Sequence, residues 1–202
     1  MTRGFDRPLT RRQLSGMAVS ALFLGAFPAH AAASAEDYIS GIAGEVMALA
    51  NTGKKGPALK SKFAALMNRY INLKGIADYA LGPYVKQLPA GRRAEFYNLV
   101  SNYAAALFVY YVDDFRGSKL EIMSTGNQGK FTIIQSAITG NGNREQVRWR
   151  LLPAGGGFKI SDVNLKGVWL TISMKDRFSK VLKGSKGDFE PLFEELRSAE
   201  TW

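Results

Sequence analysis

The chain has 202 residues, no cysteine and one histidine, and its 27 Lys and Arg against 17 Asp and Glu give a formal charge of +10 at pH 7. Without a thiol there is no disulfide, no Cys nucleophile and no ordinary Cys/His zinc centre, and the one imidazole, His30, lies in a segment that reads as removable, which excludes a Ser-His-Asp triad. A binding protein fits these exclusions better than an enzyme does.

Residues 1–31 have the three regions of an export signal: Arg3, Arg7, Arg11 and Arg12, then the apolar run from Met17 to Phe27, then Ala29-His30-Ala31 as a small-x-small cleavage site. The apolar run is 11 residues long, whereas a bilayer span takes about 20, so cleavage after Ala31 is favoured over an uncleaved anchor. Ala33 and Ala35 offer neighbouring cuts. Thr10-Arg11-Arg12-Gln13-Leu14 resembles the twin-arginine signature in part, which leaves that route and general secretion both open. With no cysteine there is no lipoprotein anchor, so a soluble periplasmic product is expected.

Residues 32–202 are then a single domain. Removing 1–31, which carry four Arg and one Asp, lowers the formal charge from +10 to +7. A chain of this size buries about 70% of its unfolded surface and needs no staple. Outside the cytoplasm the basic balance points to anionic lipid headgroups, membrane surfaces or acidic proteins, and not to nucleic acid.

In chain order, Ser34 caps a first helix in which Ile39, Ile42, Ala43, Val46, Met47, Leu49 and Ala50 recur at helical spacing until Gly53. Pro57 opens a second, with Leu59, Phe63, Leu66, Met67 and Tyr70 as its stripe. A short helix over 72–81 ends at Gly82-Pro83, and the longest pattern runs from Pro89 to about Phe115 with Phe96, Leu99, Val100, Tyr103, Leu107 and Tyr110 on one face. The period then changes. Lys119–Ser124, Phe131–Ile138, Gln146–Leu152 and Phe158–Leu165 read as four strands of an antiparallel meander, broken at Gly140-Asn141-Gly142-Asn143 and Gly155-Gly156-Gly157. In the third strand Val147, Trp149 and Leu151 face one way and Gln146, Arg148 and Arg150 the other, so helices must cover the first side. Two short helices, about 173–182 and 188–197, close the chain. The fold class is α+β: a helical N-terminal half packed on a twisted antiparallel sheet, with C-terminal helices.

Four stretches carry a family resemblance: Ile76-Ala77-Asp78-Tyr79-Ala80-Leu81-Gly82, Arg92-Arg93-Ala94-Glu95-Phe96-Tyr97-Asn98-Leu99-Val100, Tyr103-Ala104, and Phe158-Lys159-Ile160-Ser161-Asp162-Val163-Asn164-Leu165-Lys166-Gly167-Val168. In order and spacing over about residues 36–198 they resemble the MlaC, or Ttg2-type toluene-tolerance auxiliary, family. Phe158 stands where that family usually has Trp, Lys166 where it has Glu, Trp169 where it has Ser, and Lys175 where it has a late Arg. These departures suggest a divergent branch, such as the hopanoid-associated HpnM branch.

The resemblance implies a periplasmic carrier of phospholipid, or of hopanoid in that branch. Such a carrier holds acyl chains in an apolar cavity between sheet and helices, without a cofactor or metal. It passes lipid between an outer-membrane lipoprotein complex and an inner-membrane ABC transporter complex, with transient membrane association. The residues permit such a cavity. Candidate walls are Phe63, Met67 and Tyr70 on the second helix, Phe96, Val100, Tyr103 and Leu107 on the long helix, and Ile133, Trp149 and Val163 on the strands. Each of these also suits a solid core. Lys166 and Lys175 are candidates for a headgroup phosphate and also suit a solvated surface. Asp162 reads as structural, and Asp113-Asp114 as marking a helix end.

Two other classes compete: an isomerase-like enzyme using Asp78 with Tyr79 or Tyr103, and a non-catalytic adaptor of the transporter. N-terminal sequencing of the exported protein is expected to begin at Ala32. Replacing Arg11 and Arg12 by Lys stops export only on the twin-arginine route.

Overall fold

The computed structural model describes residues 34–140 and 142–198. The export segment 1–31 lies outside the described residues. Helix α1 (Ala35–Asn51) starts where Ser34 accepts a 3.0 Å hydrogen bond from the Asp37 amide and donates one of 2.8 Å to the Asp37 carboxylate. Helix α2 (Pro57–Tyr70) has its proline in the first turn, where a missing N–H costs nothing. Helix α3 (Leu73–Leu81) is capped by Asn72.

Helix α4 (Arg93–Tyr111) is flanked by 3-10 turns at Ala90–Arg92 and Val112–Phe115, so the one long sequence pattern is an α-helix with tightened ends. Its apolar stripe is not the single one the spacing suggests. Phe96, Leu99 and Val100 are buried in the first half, but in the second the buried set is Ala105, Ala106, Phe108, Val109 and Val112, and Tyr110 is 66% exposed. The cause is a change of partner. The first half packs with α3 and the C-terminal helices, while Phe108 turns to stack on Phe63 of α2.

The sheet is antiparallel in the order β1 (Lys119–Gln128), β2 (Phe131–Gly140), β3 (Asn143–Ala154), β4 (Gly157–Leu165), β5 (Val168–Trp169). The fifth strand is only two residues long, too short for an alternation signal. It joins β4 through Lys166 and Gly167, whose φ angles of 51° and 86° suit a two-residue hairpin turn. Beyond β5 the edge of β4 is partly covered by the bridge from Ile71 to Ile160, with the Asn72 amide donating to the Ile160 carbonyl at 2.8 Å. Helices α5 (Leu170–Gly184) and α6 (Glu190–Ser198) complete the fold.

A bulge decides which β4 side chains face the helices. Leu151 pairs with Ile160 and Trp149 with Val163, so two residues of β3 oppose a stretch of β4 that is one residue longer, with Ser161 as the extra one. Ile160 and Val163 therefore share the apolar face although they are three apart. Asp162, paired with Arg150, turns to the opposite face, where it is 2% exposed. There its carboxylate accepts from the Val163 amide at 2.9 Å, the Thr171 amide at 3.1 Å and the Thr171 hydroxyl at 2.6 Å, with the Arg150 guanidinium at 3.5 Å. It thus pins the first turn of α5 to the sheet.

The helical end carries a four-member ion cluster. Arg197 and Arg92 each bond to both Glu95 and Glu190, and the Arg92 guanidinium also lies 4.2 Å from the centre of the Phe193 ring. Hydrogen bonds from Arg197 and then Arg92 hold both carboxyls below the ordinary glutamate range. Depressed carboxyl pKa values give stability that is present above the unfolded pKa and lost as pH falls through the folded values. Arg197→Met is therefore expected to flatten the acid side of the stability–pH curve, read by urea unfolding. Asp162→Ala strands three donors, the Val163 amide and the buried Thr171 amide and hydroxyl, together with the Arg150 charge, and is expected to cost about 3 kcal/mol by the same measurement, with Asp162→Asn costing less.

Candidate functional site

The apolar face of the sheet and helices α1 and α2 enclose a cluster richer in partly buried side chains than the helical cluster of the interior. Ile39, Ile42, Leu66, Ile134, Leu151 and Ile160 form its buried floor. Around them stand large side chains that are only partly buried, including Tyr38, Phe63, Tyr70, Ile122, Trp149, Phe158 and Val163. By contrast the helical cluster of α3–α6 is built on fully covered rings and branched chains such as Phe96, Leu182, Leu192 and Phe193, and contains no strand residue.

The aromatic members near the α1–α2–β4 corner meet edge to face. Tyr38 lies 5.8 Å from both Tyr70 and Phe158, ring centre to ring centre. Their polar atoms are taken up locally. The Tyr38 hydroxyl donates to the Tyr70 carbonyl at 3.2 Å, the Tyr70 hydroxyl donates to Glu45, and Arg69 pairs with Glu45 at 3.3 Å. The hydrogen bond to Glu45, then desolvation, raises the Tyr70 pKa, and burial followed by Tyr70 raises that of Tyr38, so both phenols stay neutral. On the sheet the Trp149 indole donates to the Ser136 hydroxyl at 2.8 Å, which donates to the Val147 carbonyl at 3.2 Å. Rings and methyl groups are left to face the interior, with no charged group among the cluster members.

The residues singled out from sequence fall into distinct places. Phe63, Tyr70, Trp149 and Val163 come together in the sheet–helix cluster, and Phe63 also links it, by its stack on Phe108, to the cluster around Leu59 and Val112. Met67 is buried on α2. Phe96 and Val100 sit in the helical cluster with Tyr103 packed against it, and burial and then Glu195 raise the Tyr103 pKa. Leu107 is half-buried on α4, and Ile133 is half-buried on the face of β2 opposite Ile134. Tyr38, Ile122 and Phe158 join the cluster without having been singled out. Tyr38 precedes Ile39 on the inward face of α1, and Phe158 lies two residues before Ile160, so periodicity carried a faint signal for each.

The two lysines have separate partners. Lys166 occupies the β4–β5 turn and pairs with Glu145 at 3.5 Å, while the Lys175 ammonium lies 5.3 Å from the centre of the Tyr79 ring. Asp78 accepts a 2.7 Å hydrogen bond from Tyr97, not from Tyr79 or Tyr103. Asp113 is held by Lys55 and by Arg116 at 2.8 Å, in the 3-10 turn that ends α4. Among the described residues no group of three His, Cys, Asp or Glu is placed to hold a metal ion, and no helix is long and apolar enough to cross a membrane.

This arrangement of helices, five-stranded sheet and closing helices is matched at the level of sequence. The MlaC protein family matches residues 42–198, from within α1 to the end of α6. The chain belongs to the MlaC family. Among solved structures it is similar to a phospholipid-binding protein from Ralstonia solanacearum in complex with a phospholipid, with a TM-score of 0.68 and 14% identity over 82% of this chain and 94% of that one. At that identity the likeness establishes the fold. No curated protein matches the chain. The MlaC match includes the whole of α5 and α6, the helices that complete the helical cluster.

The two clusters are expected to respond differently to truncation. Phe96→Ala empties a fully covered site and is expected to cost about 3–5 kcal/mol, whereas Ile133→Ala, at a half-exposed one, is expected to cost well under half of that, read by urea or thermal unfolding.

Proposed function

We propose that this protein is a periplasmic lipid carrier. It holds the acyl chains of a phospholipid in the apolar space between the sheet and helices α1, α2 and α4, and moves the lipid between an outer-membrane lipoprotein complex and an inner-membrane ABC transporter complex. The observation that carries this reading is the cluster of partly buried rings and aliphatic side chains on one sheet face within an MlaC-family fold. That the Ralstonia protein of the same fold is described as bound to a phospholipid supports it.

The physics requires no chemistry on the ligand. Each methylene removed from water contributes about 0.8 kcal/mol, so one long acyl chain contributes on the order of 10 kcal/mol before ordering costs. An apolar wall supplies that by itself, and no cofactor is called for. The isomerase alternative pairs Asp78 with Tyr79 or Tyr103, whereas the Asp78 carboxylate accepts from Tyr97, and the family match supports a binding protein instead. Residues 1–31 act as the cleaved export signal in this reading, and the mature protein is residues 32–202.

Native mass spectrometry of the purified exported protein, followed by organic extraction, tests the proposal. About one lipid per chain is expected, and lipid-free protein overturns it. A phospholipid in the extract supports the main reading, and a polycyclic hopanoid moves the protein to the hopanoid-associated branch. Val163→Glu puts a carboxylate on the apolar face, outside the helical cluster, and is expected to lower lipid occupancy on the order of tenfold in folded protein.

A further inference from the structure

At one end of the sheet lie the start of β1, the β2–β3 turn and the β4–β5 hairpin. Four of the exposed large apolar residues of the fold fall within eight positions there: Leu165 (40% exposed), Val168 (52%), Leu170 (43%) and Ile172 (41%). Leu165 and Val168 are a directly opposed pair on either side of the turn. Leu170 and Ile172 flank Thr171, which Asp162 holds inward, so the first turn of α5 is oriented with both apolar neighbours outward. Such a patch costs solubility without helping the core, and clusters of this kind mark contact surfaces.

The charges beside the patch select the partner. The same end of the sheet carries Lys119, Arg144, Arg148 and Lys166 against Glu121 and Glu145. Arg144 is paired with Glu121 and Lys166 with Glu145. Lys119 and Arg148 have no carboxylate partner among the described residues, and Arg148 lies 5.4 Å from the centre of the Trp169 ring, next to Val168. Apolar side chains at a rigid turn, an amphipathic indole and cations in excess suit the boundary between headgroups and acyl chains of an anionic bilayer. An acidic protein would answer the charge but leaves the indole and four aliphatic chains to a matching pocket, for which nothing here argues.

We propose that the β4–β5 hairpin and the first turn of α5 are a docking element for anionic lipid bilayers: Leu165, Val168 and Leu170 enter the headgroup layer while Lys119 and Arg148 meet lipid phosphates. This rests on the lipid-carrier reading and locates where the carrier touches a membrane. The test is flotation of the purified protein with vesicles of phosphatidylglycerol and phosphatidylethanolamine, or of phosphatidylcholine alone, with co-purifying lipid measured in parallel.

Binding is expected to the anionic vesicles, to fall at least fivefold between 50 and 500 mM salt, and to fall about tenfold in V168D/L170D, with co-purifying lipid unchanged. V168S/L170S, less demanding to fold, is expected to lose about threefold. Unaltered flotation of both variants, or equal binding to phosphatidylcholine, overturns the proposal. A native dimer that V168S/L170S makes monomeric also overturns it, in favour of a contact between two copies. Vesicle binding that follows these expectations in a protein carrying no lipid overturns the carrier reading and leaves the docking surface standing.

Discussion

A sheet with one apolar and one charged face has to be covered on the apolar side, and most of this structure follows from how that cover is made. The face set by Val147, Trp149 and Leu151 extends through register to Ile134 on one neighbour and to Ile160 and Val163 on the other. Helices α1 and α2 lie over it, but they do not close it to the degree that the helices close on one another. The floor is buried and the surrounding side chains are half-covered. A cover of that kind leaves apolar surface in reach of a long-chain ligand while keeping the sheet folded.

Rigidity is supplied elsewhere. Thirteen buried residues from α3 to α6, with stacked and edge-on rings around Phe96 and Phe193, form a core that contains no strand residue. At about 1.5–3 kcal/mol for each large side chain taken from water, this cluster can supply much of the gross apolar stabilisation of the domain. The Arg92–Glu95–Glu190–Arg197 ring adds geometry more than energy, because its members are exposed and screened. The fold therefore depends less on each contact in the sheet cluster than on those in the helical one.

Much of this was legible in the residues. The Ser34 cap, Pro57, the Gly82 break and the strict alternation of β3 each encode local geometry, and the elements they predict lie within a few residues of those observed. What alternation cannot encode is a bulge. By simple period-two counting Ile160 and Val163 belong to opposite faces, and only the extra residue Ser161 brings them together. Helical spacing likewise cannot say which of two partners a helix faces. Phe96, Val100 and Phe63 read alike as apolar stripe residues, yet the first two lie in the helical cluster and the third on the sheet side. That difference comes from which elements α2 and the first half of α4 pack against, and it is a tertiary fact.

Three of the four residues that depart from the pattern the sequence resembles, Lys166, Trp169 and Lys175, lie around the same corner, while Phe158 lies at the other end of β4. Lys166 makes the β4–β5 turn, Trp169 ends β5 under the guanidiniums of Arg148 and Arg150, and Lys175 lies on the α5 helix that this turn delivers. Asp162 fixes the same junction from inside the sheet through Thr171. The cluster between sheet and helices needs only apolar bulk of roughly the right shape, which many sequences supply. The corner, by contrast, sets particular charges and an indole at particular positions around the Asp162–Thr171 contact, which is what the proposed docking element requires.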